Sequence, residues 1–128
     1  MLFRSLAAKN QRLHLAFSPE GWAEIRALHA RVVDQMRLAM TVFVTRDLKM
    51  ARDLVLEKDN IRLAERDATE SHLRRLREGT VASIETSALH LDILRDLKRI
   101  NAHITSVAYP ILEASGELRE SRLRVAAE

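Results

Sequence analysis

The sequence predicts an all-α protein: an antiparallel up-down-up three-helix bundle preceded by a short N-terminal helix or arm. Three observations carry this reading. Only 3 glycines and 2 prolines occur in 128 residues, too few for a β-sandwich or barrel, which needs a turn signal every ~8–12 residues. Hydrophobic residues at 47% and charged residues at 30% supply a core and exclude wholesale disorder. Apolar residues also recur at alternating spacings of 3 and 4 along two long stretches, the mark of helices packed nearly in line. A chain this long sets a prior of one domain.

Residues 1–17 read as a basic amphipathic arm or linker. They contain no acid, while Arg4, Lys9 and Arg12 alternate with Leu2, Phe3, Leu6, Leu13, Leu15 and Phe17. Two readings stand here: an arm that caps the bundle, or a segment lying on an anionic membrane surface. The bundle is assigned to residues 18–123. Ser18-Pro19-Glu20 starts its first helix, with Ser as N-cap, Pro at the first helical position and an acid in the first turn. Its core stripe is read as Trp22, Ile25, His29, Val32, Met36, Ala39 and Phe43, with His29 a hydrogen-bonded core histidine. Asp47 caps a second helix that runs to about Arg77 and closes at Gly79. Thr80 or Ser83 opens the third, whose stripe is Ile93, Leu97, Ile100, Ile104, Val107 and Ile111. Pro110 predicts a kink near its end, and Gly116 terminates it. The short joints force neighbouring helices to run antiparallel. Residues 124–128 are a tail.

Several function classes fall away. With no cysteine there is no disulfide, zinc–thiolate site, iron–sulfur cluster on thiolates or cysteine nucleophile. The apolar run from Leu38 to Val44 is broken by Thr41 and is far short of the ~20 residues of a membrane span. Lys+Arg 21 against Asp+Glu 18 describes a solvated helical surface rather than a nucleic-acid footprint, and aromatic content of 4% gives little to stack on bases. The carboxylate-bridged di-iron pattern, His-Glu-x-x-His, Gly-x-Ser-x-Gly and the glycine-rich nucleotide loops are absent, so the expectation is a non-enzymatic protein.

Two helices carry more polarity than a plain bundle needs. The second helix's stripe reads Leu54, Lys58, Ile61, Glu65, Ala68, His72. Its long polar side chains either snorkel at the rim or form a polar channel inside the bundle. On the third, Glu85, Asp92, Asp96, Arg99 and His103 share a narrow stripe. Asp92 and Asp96 are i,i+4 like charges, which repel in a helix. Either Arg95 and Arg99 pair with them at the surface, or the carboxylates hold a cation together with His103. Asp53 and Glu57 on the second helix could reach the same site. Oxygen-rich ligation of this kind favours iron, manganese or magnesium over structural zinc.

The stretch Leu89-His90-Leu91-Asp92-Ile93-Leu94-Arg95-Asp96-Leu97-Lys98-Arg99-Ile100-Asn101-Ala102-His103 resembles the signature helix of PhoU-type domains. With Ser106-Val107-Ala108-Tyr109-Pro110-Ile111-Leu112 it resembles the cytosolic C-terminal domain of bacterial sodium/phosphate cotransporter-family proteins. Asp59-Asn60-Ile61-Arg62-Leu63-Ala64-Glu65 is similar to the family's acidic second helix. The resemblance implies a single PhoU-like three-helix repeat. It also implies a metal-gathering acid-x-x-x-Asp motif, matched by Asp92-x-x-x-Asp96 and, with Glu last, by Asp53-x-x-x-Glu57. Lys98, Asn101 and Ala102 depart from the family's pattern.

The function so implied is a non-enzymatic regulatory or interaction domain controlling phosphate uptake by a sodium-dependent cotransporter. Its place is cytoplasmic, at the inner face of the plasma membrane, and the basic arm is the segment leaving the membrane. Iron or another divalent cation is the implied cofactor, on Asp53, Glu57, Asp92, Asp96 and His103. The implied partners are the membrane transporter domain or membrane surface and, because full PhoU proteins carry two repeats, a second copy in a homodimer; nucleic acid is not expected. The alternative is a metal-free helical scaffold or adaptor acting by dimerisation.

Overall fold

The computed structural model of the chain describes residues 17–79 and 81–116, apart from the side chains of residues 82, 83 and 85. The arm (residues 1–16), the cap expected at Thr80 or Ser83, the Glu85 side chain, the bundle's last residues and the tail lie outside it. The described residues are helical, with no strand among them: α1 Pro19–Thr45, α2 Leu48–Arg77, α3 Val81–Thr105 and α4 Ala108–Ala114.

Local chemistry sets the boundaries. Ser18 Oγ accepts a hydrogen bond from the Gly21 N–H at 3.1 Å, and Pro19 follows in the first turn, so one orphan donor of α1 is satisfied and Pro's missing donor costs nothing. α1 stops where Arg46 turns left-handed (φ 55, ψ 30) and returns its N–H to the Val42 carbonyl. The Asp47 carboxylate then accepts from the Met50 N–H at 2.9 Å and starts α2. Gly79, at φ 76, takes the backbone out of α2 in the left-handed conformation that glycine adopts without a Cβ clash.

Each of the three long helices packs against the other two, in the up-down-up order the sequence predicts. Two apolar clusters fill the centre. Ile25, Leu28, Val32, Ile61, Leu94 and Leu97 form the middle. Ala39, Val42, Ala51, Leu54, Ala108, Ile111 and Leu112 form the end beside the α1–α2 turn. Buried Gln35 on α1 and Asn101 on α3 add polar groups to this interior, and neither the Gln35 Oε1 nor the Asn101 amide has a hydrogen-bond partner among the described protein atoms.

Two sequence expectations are corrected. The core stripe of α1 is Gly21, Ile25, Leu28, Val32, Gln35, Ala39 and Val42. Trp22, Met36 and Phe43 face outward, at 49%, 47% and 68% exposure, and His29 is exposed rather than a core residue. Both stripes have the same 3-4 spacing, one residue apart, so periodicity alone does not choose between them. The expected third helix is also two helices. Pro110 has no N–H to give the Ser106 carbonyl and its ring crowds that turn. The chain breaks at Ser106 and Val107, whose N–H groups bond the His103 and Ile104 carbonyls in tighter turns, and α4 begins at Ala108.

Candidate functional site

The polar stripe of α2 is real, and at its C-terminal end it meets α1 and α3 in a buried cluster. Arg75, 6% exposed, grips both oxygens of Glu24 on α1, Nη1 to Oε1 at 2.8 Å and Nη2 to Oε2 at 3.1 Å, and also donates to Ser71 Oγ at 2.9 Å. One turn earlier on α2, His72 stacks on His90 of α3 with ring centroids 4.4 Å apart and an interplanar angle of 11°. Both rings are 1% exposed. His72 Nε2 lies 3.0 Å from Ser87 Oγ, and His90 Nε2 lies 3.6 Å from Glu24 Oε2. Phe17 tilts over His90 at 6.0 Å and stacks on Trp22.

The close fit of α1 to α3 depends on Gly21. A Cβ there would stand 3.2 Å from two atoms of the His90 ring and 3.0 Å from Ser18 Oγ, so any larger residue must displace the cap or the stacked imidazoles.

The electrostatics follow from this packing. Burial and the charges of His72 and Arg75 push His90 down to about 4, against the opposing pull of Glu24. Burial and Arg75 lower His72 as well, again against Glu24. Burial would raise Glu24, but hydrogen bonds from Arg75 and Ser71, with the charges of Arg75 and His90, outweigh it and hold its carboxyl below the usual value. At neutral pH the cluster is therefore one ion pair beside two uncharged imidazoles. Desolvated and tightly partnered, it fixes how the three helices meet. Ser87 Oγ and His72 Nε2 are within hydrogen-bond reach of each other, but the His72 ring is 1% exposed and stacked on His90, so the pair is packed into the α2–α3 interface.

Two further polar links lie lower on α2. Lys98 Nζ reaches Glu65 Oε2 at 3.5 Å. Lys58 Nζ donates to Tyr109 Oη at 3.1 Å and sits 5.7 Å from the ring centroid. The long side chains of the α2 stripe are thus partly buried and paired, rather than lining an open channel.

The sequence-predicted ligands are not brought together. The pairings His72–Ser87 and Glu65–Lys98 set the antiparallel register of α2 and α3, which puts Asp92 level with residues 67–71 and Asp96 level with residues 63–67. At 1.5 Å per residue, Glu57 lies about 9–15 Å along the axis from Asp96, and Asp53 about 21–27 Å from Asp92. Glu57 is held by Arg31 and Asn60, and Asp92 by Arg95 at 2.9 Å. Asp96 is buried with Arg95 Nε at 4.0 Å. Asp53 and His103 are exposed. Among the described residues no three His, Cys, Asp or Glu side chains are grouped to hold a metal ion. This donor set does not fit the implied cation.

A second surface feature lies at the other end of α1. Met36, Met40, Phe43 and Val44 line one wall of an open apolar groove of about 430 Å³, and His103, Ile104 and Val107 line the other. No described helix is long and apolar enough to cross a membrane.

The family model described as PhoU domain matches residues 25–111, which take in most of α1, all of α2 and α3, and the start of α4. The chain belongs to the PhoU domain family. This PhoU domain is 43% identical over 110 residues to the protein named "Putative inorganic phosphate export protein YjbB" of Salmonella typhimurium, a match covering 86% of the chain and 19% of the relative. It is 40% identical over 114 residues to the protein of the same name from Escherichia coli strain K12, covering 89% of the chain and 20% of the relative. The chain thus spans about a fifth of the length of the curated relatives it matches. No solved structure matches it.

The sequence reading did not single out the Glu24–Arg75 and His72–His90 cluster. Its one legible signal is His72 on the core stripe of α2. Glu24 and Arg75 are 51 positions apart, and nothing local marks them as partners.

Proposed function

We propose that this PhoU domain is a non-catalytic regulatory module of a protein that moves inorganic phosphate across a membrane. The observation that carries the reading is the 40–43% identity, over nearly the whole chain, to proteins named for phosphate export of which it makes up about a fifth. In this reading the remaining four fifths form the path for phosphate. The helical domain sits at the cytoplasmic face of the membrane and sets how readily that path works. The relatives' names favour outward movement over the uptake expected from the sequence. Any coupling to sodium belongs to the transporting part.

Three structural features support a regulatory role without catalysis. The Ser87–His72 contact is packed between α2 and α3 beside a buried, stacked imidazole pair. Its interior is knit by buried, paired polar groups that give the three helices one defined arrangement. Its α1 face exposes Met36, Met40, Phe43 and Val44 side by side, and grouped apolar exposure of this kind marks an interaction site. Regulation needs two states with different contacts, and docking and undocking of a rigid bundle supplies them.

The test is phosphate efflux from cells carrying the E. coli relative with and without the fifth that matches this chain. Efflux that survives the deletion but no longer responds to internal phosphate supports the proposal. Efflux that vanishes with the domain while the protein is still made and inserted would place the domain in the transport path and overturn it.

A further inference from the structure

A polar layer crosses the bundle between its two apolar clusters. On α1 it is Gln35, between Val32 of one cluster and Ala39 of the other. On α2 it is half-buried Lys58, between Ile61 and Leu54, and on α3 it is Asn101 and Thr105, between Leu97 and Ala108. Lys58 Nζ is engaged with Tyr109 Oη, and Thr105 Oγ1 donates to the Asn101 carbonyl at 2.8 Å. The two amides are not so provided for. Gln35 Oε1, Asn101 Oδ1 and Asn101 Nδ2 are buried with no hydrogen-bond partner among the protein atoms, on side chains 9% and 1% exposed. An amide buried without partners is costly, and interiors satisfy such groups with protein or with ordered water.

The helix register sets the gap between them. Gly21 stands against His90 and α1 and α3 run parallel, so Val32 is level with Asn101, and Gln35 with Ile104, which packs against both clusters. Gln35 and Asn101 are therefore about 4.5 Å apart along the axis at 1.5 Å per residue. Two hydrogen bonds of about 2.8–3.0 Å through one water span such a gap. We propose that this layer is an internal water site, in which ordered water joins Gln35 Oε1 to the Asn101 amide and ties α1 to α3. The chemistry selects water over an ion. The atoms to be satisfied are neutral, two acceptors and one donor, and water donates and accepts at once. The Lys58 ammonium at the same level of α2 opposes a metal cation, and an anion would meet two acceptor oxygens against a single amide donor. Water so held is a component of the fold at the level where α3 gives way to α4. This inference rests on the packing and not on the transport reading.

The test needs no variant to begin. Water-selective NMR on the full isotope-labelled chain should show cross-peaks from water to the Asn101 side-chain NH2, with opposite signs in the laboratory-frame and rotating-frame experiments, the signature of water held inside a protein. Those peaks should persist in Thr105→Val, which removes the neighbouring exchangeable hydroxyl. Stability gives a second readout. Asn101→Leu takes one side of the bridge and strands Gln35 Oε1, so its urea midpoint should fall, and adding Gln35→Leu should recover part of the loss. Absence of the water cross-peaks at Asn101 would overturn the site, as would their disappearance in Thr105→Val, which would trace them to the hydroxyl. A single Asn101→Leu that raises the midpoint would also overturn it, since relief on removing the amide is what a dry interior predicts.

Discussion

Arg75 on α2 and Glu24 on α1 form a two-pronged ion pair at 2.8 and 3.1 Å, with the guanidinium 6% exposed. The contact joins residues 51 positions apart and fixes the level at which α1 meets α2. Replacing Glu24 by Gln takes its charged acceptor from a buried guanidinium, so the expected loss is about 2–4 kcal/mol. The Arg31–Glu57 pair is a built-in comparison, because its arginine side chain is 42% exposed. Glu57→Gln should cost no more than ~1 kcal/mol. Urea unfolding of the two variants measures the difference.

The stacked histidines make the bundle acid-sensitive. His90 titrates near 4 when folded and near the ordinary 6.5 when unfolded, and His72 is lowered in the same sense. Between those values the unfolded chain binds more protons, so stability is fully present above about pH 6.5 and is lost as pH falls toward 4. His90 alone accounts for about 3 kcal/mol of that loss at ~1.4 kcal/mol per unit. Glu24, lowered in the fold, adds a loss of the same sign below its unfolded value of 4.5. Urea midpoints at pH 7.5, 6, 5 and 4.5 should fall in order. The fall should be clearly shallower in His90→Phe.

Gly21 is held to its size by the His90 ring and Ser18 Oγ. Glycine to alanine inside a helix is normally worth roughly 0.5–1 kcal/mol in stability. At this position that gain should vanish or reverse, because the neighbour to be displaced is a buried, stacked ring. Thermal melts of Gly21→Ala should show no rise in midpoint, whereas Ser71→Ala, which removes a partner of Arg75, should lower it.

The two acidic pairs, Asp53 with Glu57 and Asp92 with Asp96, should behave as separate features. Even their nearest members, Glu57 and Asp96, lie about 9–15 Å apart along the bundle, so no single ion bridges the two pairs. Iron or manganese titrated into the purified chain should leave its melting temperature unchanged, and Asp92→Asn should shift stability by less than ~0.5 kcal/mol. A metal-dependent rise in melting temperature that Asp92→Asn removes would show that the carboxylates gather after all.

What the sequence made legible is what local chemistry encodes. Ser18, Asp47 and Gly79 mark helix ends through interactions spanning three or four residues, and each sits where it was read. The α2 stripe from Leu54 to His72 is also as read, because its polar neighbours leave one apolar face. α1 is different: Trp22, Met36 and Phe43 are as apolar as Leu28 and Val42 and one position away, so the choice of inner seam belongs to tertiary packing. The break before Pro110 came a turn earlier than a last-turn kink, since proline disturbs the carbonyl four residues behind it. The candidate ligands lie apart for a related reason. Spacing puts Asp92 and Asp96 on one helix face, but only the register of α2 against α3 decides what stands opposite. That register depends on contacts such as Glu65–Lys98, which no local pattern announces.

The central claim, that this domain regulates a phosphate path it does not itself form, is tested most directly by a transplant. Phosphate efflux is measured in cells where this chain replaces the matching fifth of the E. coli relative, beside cells where that fifth is simply removed. The account predicts efflux in both, with dependence on internal phosphate restored only by the transplant. Equal efflux with equal phosphate dependence in the two, or no efflux once the fifth is removed, would contradict it.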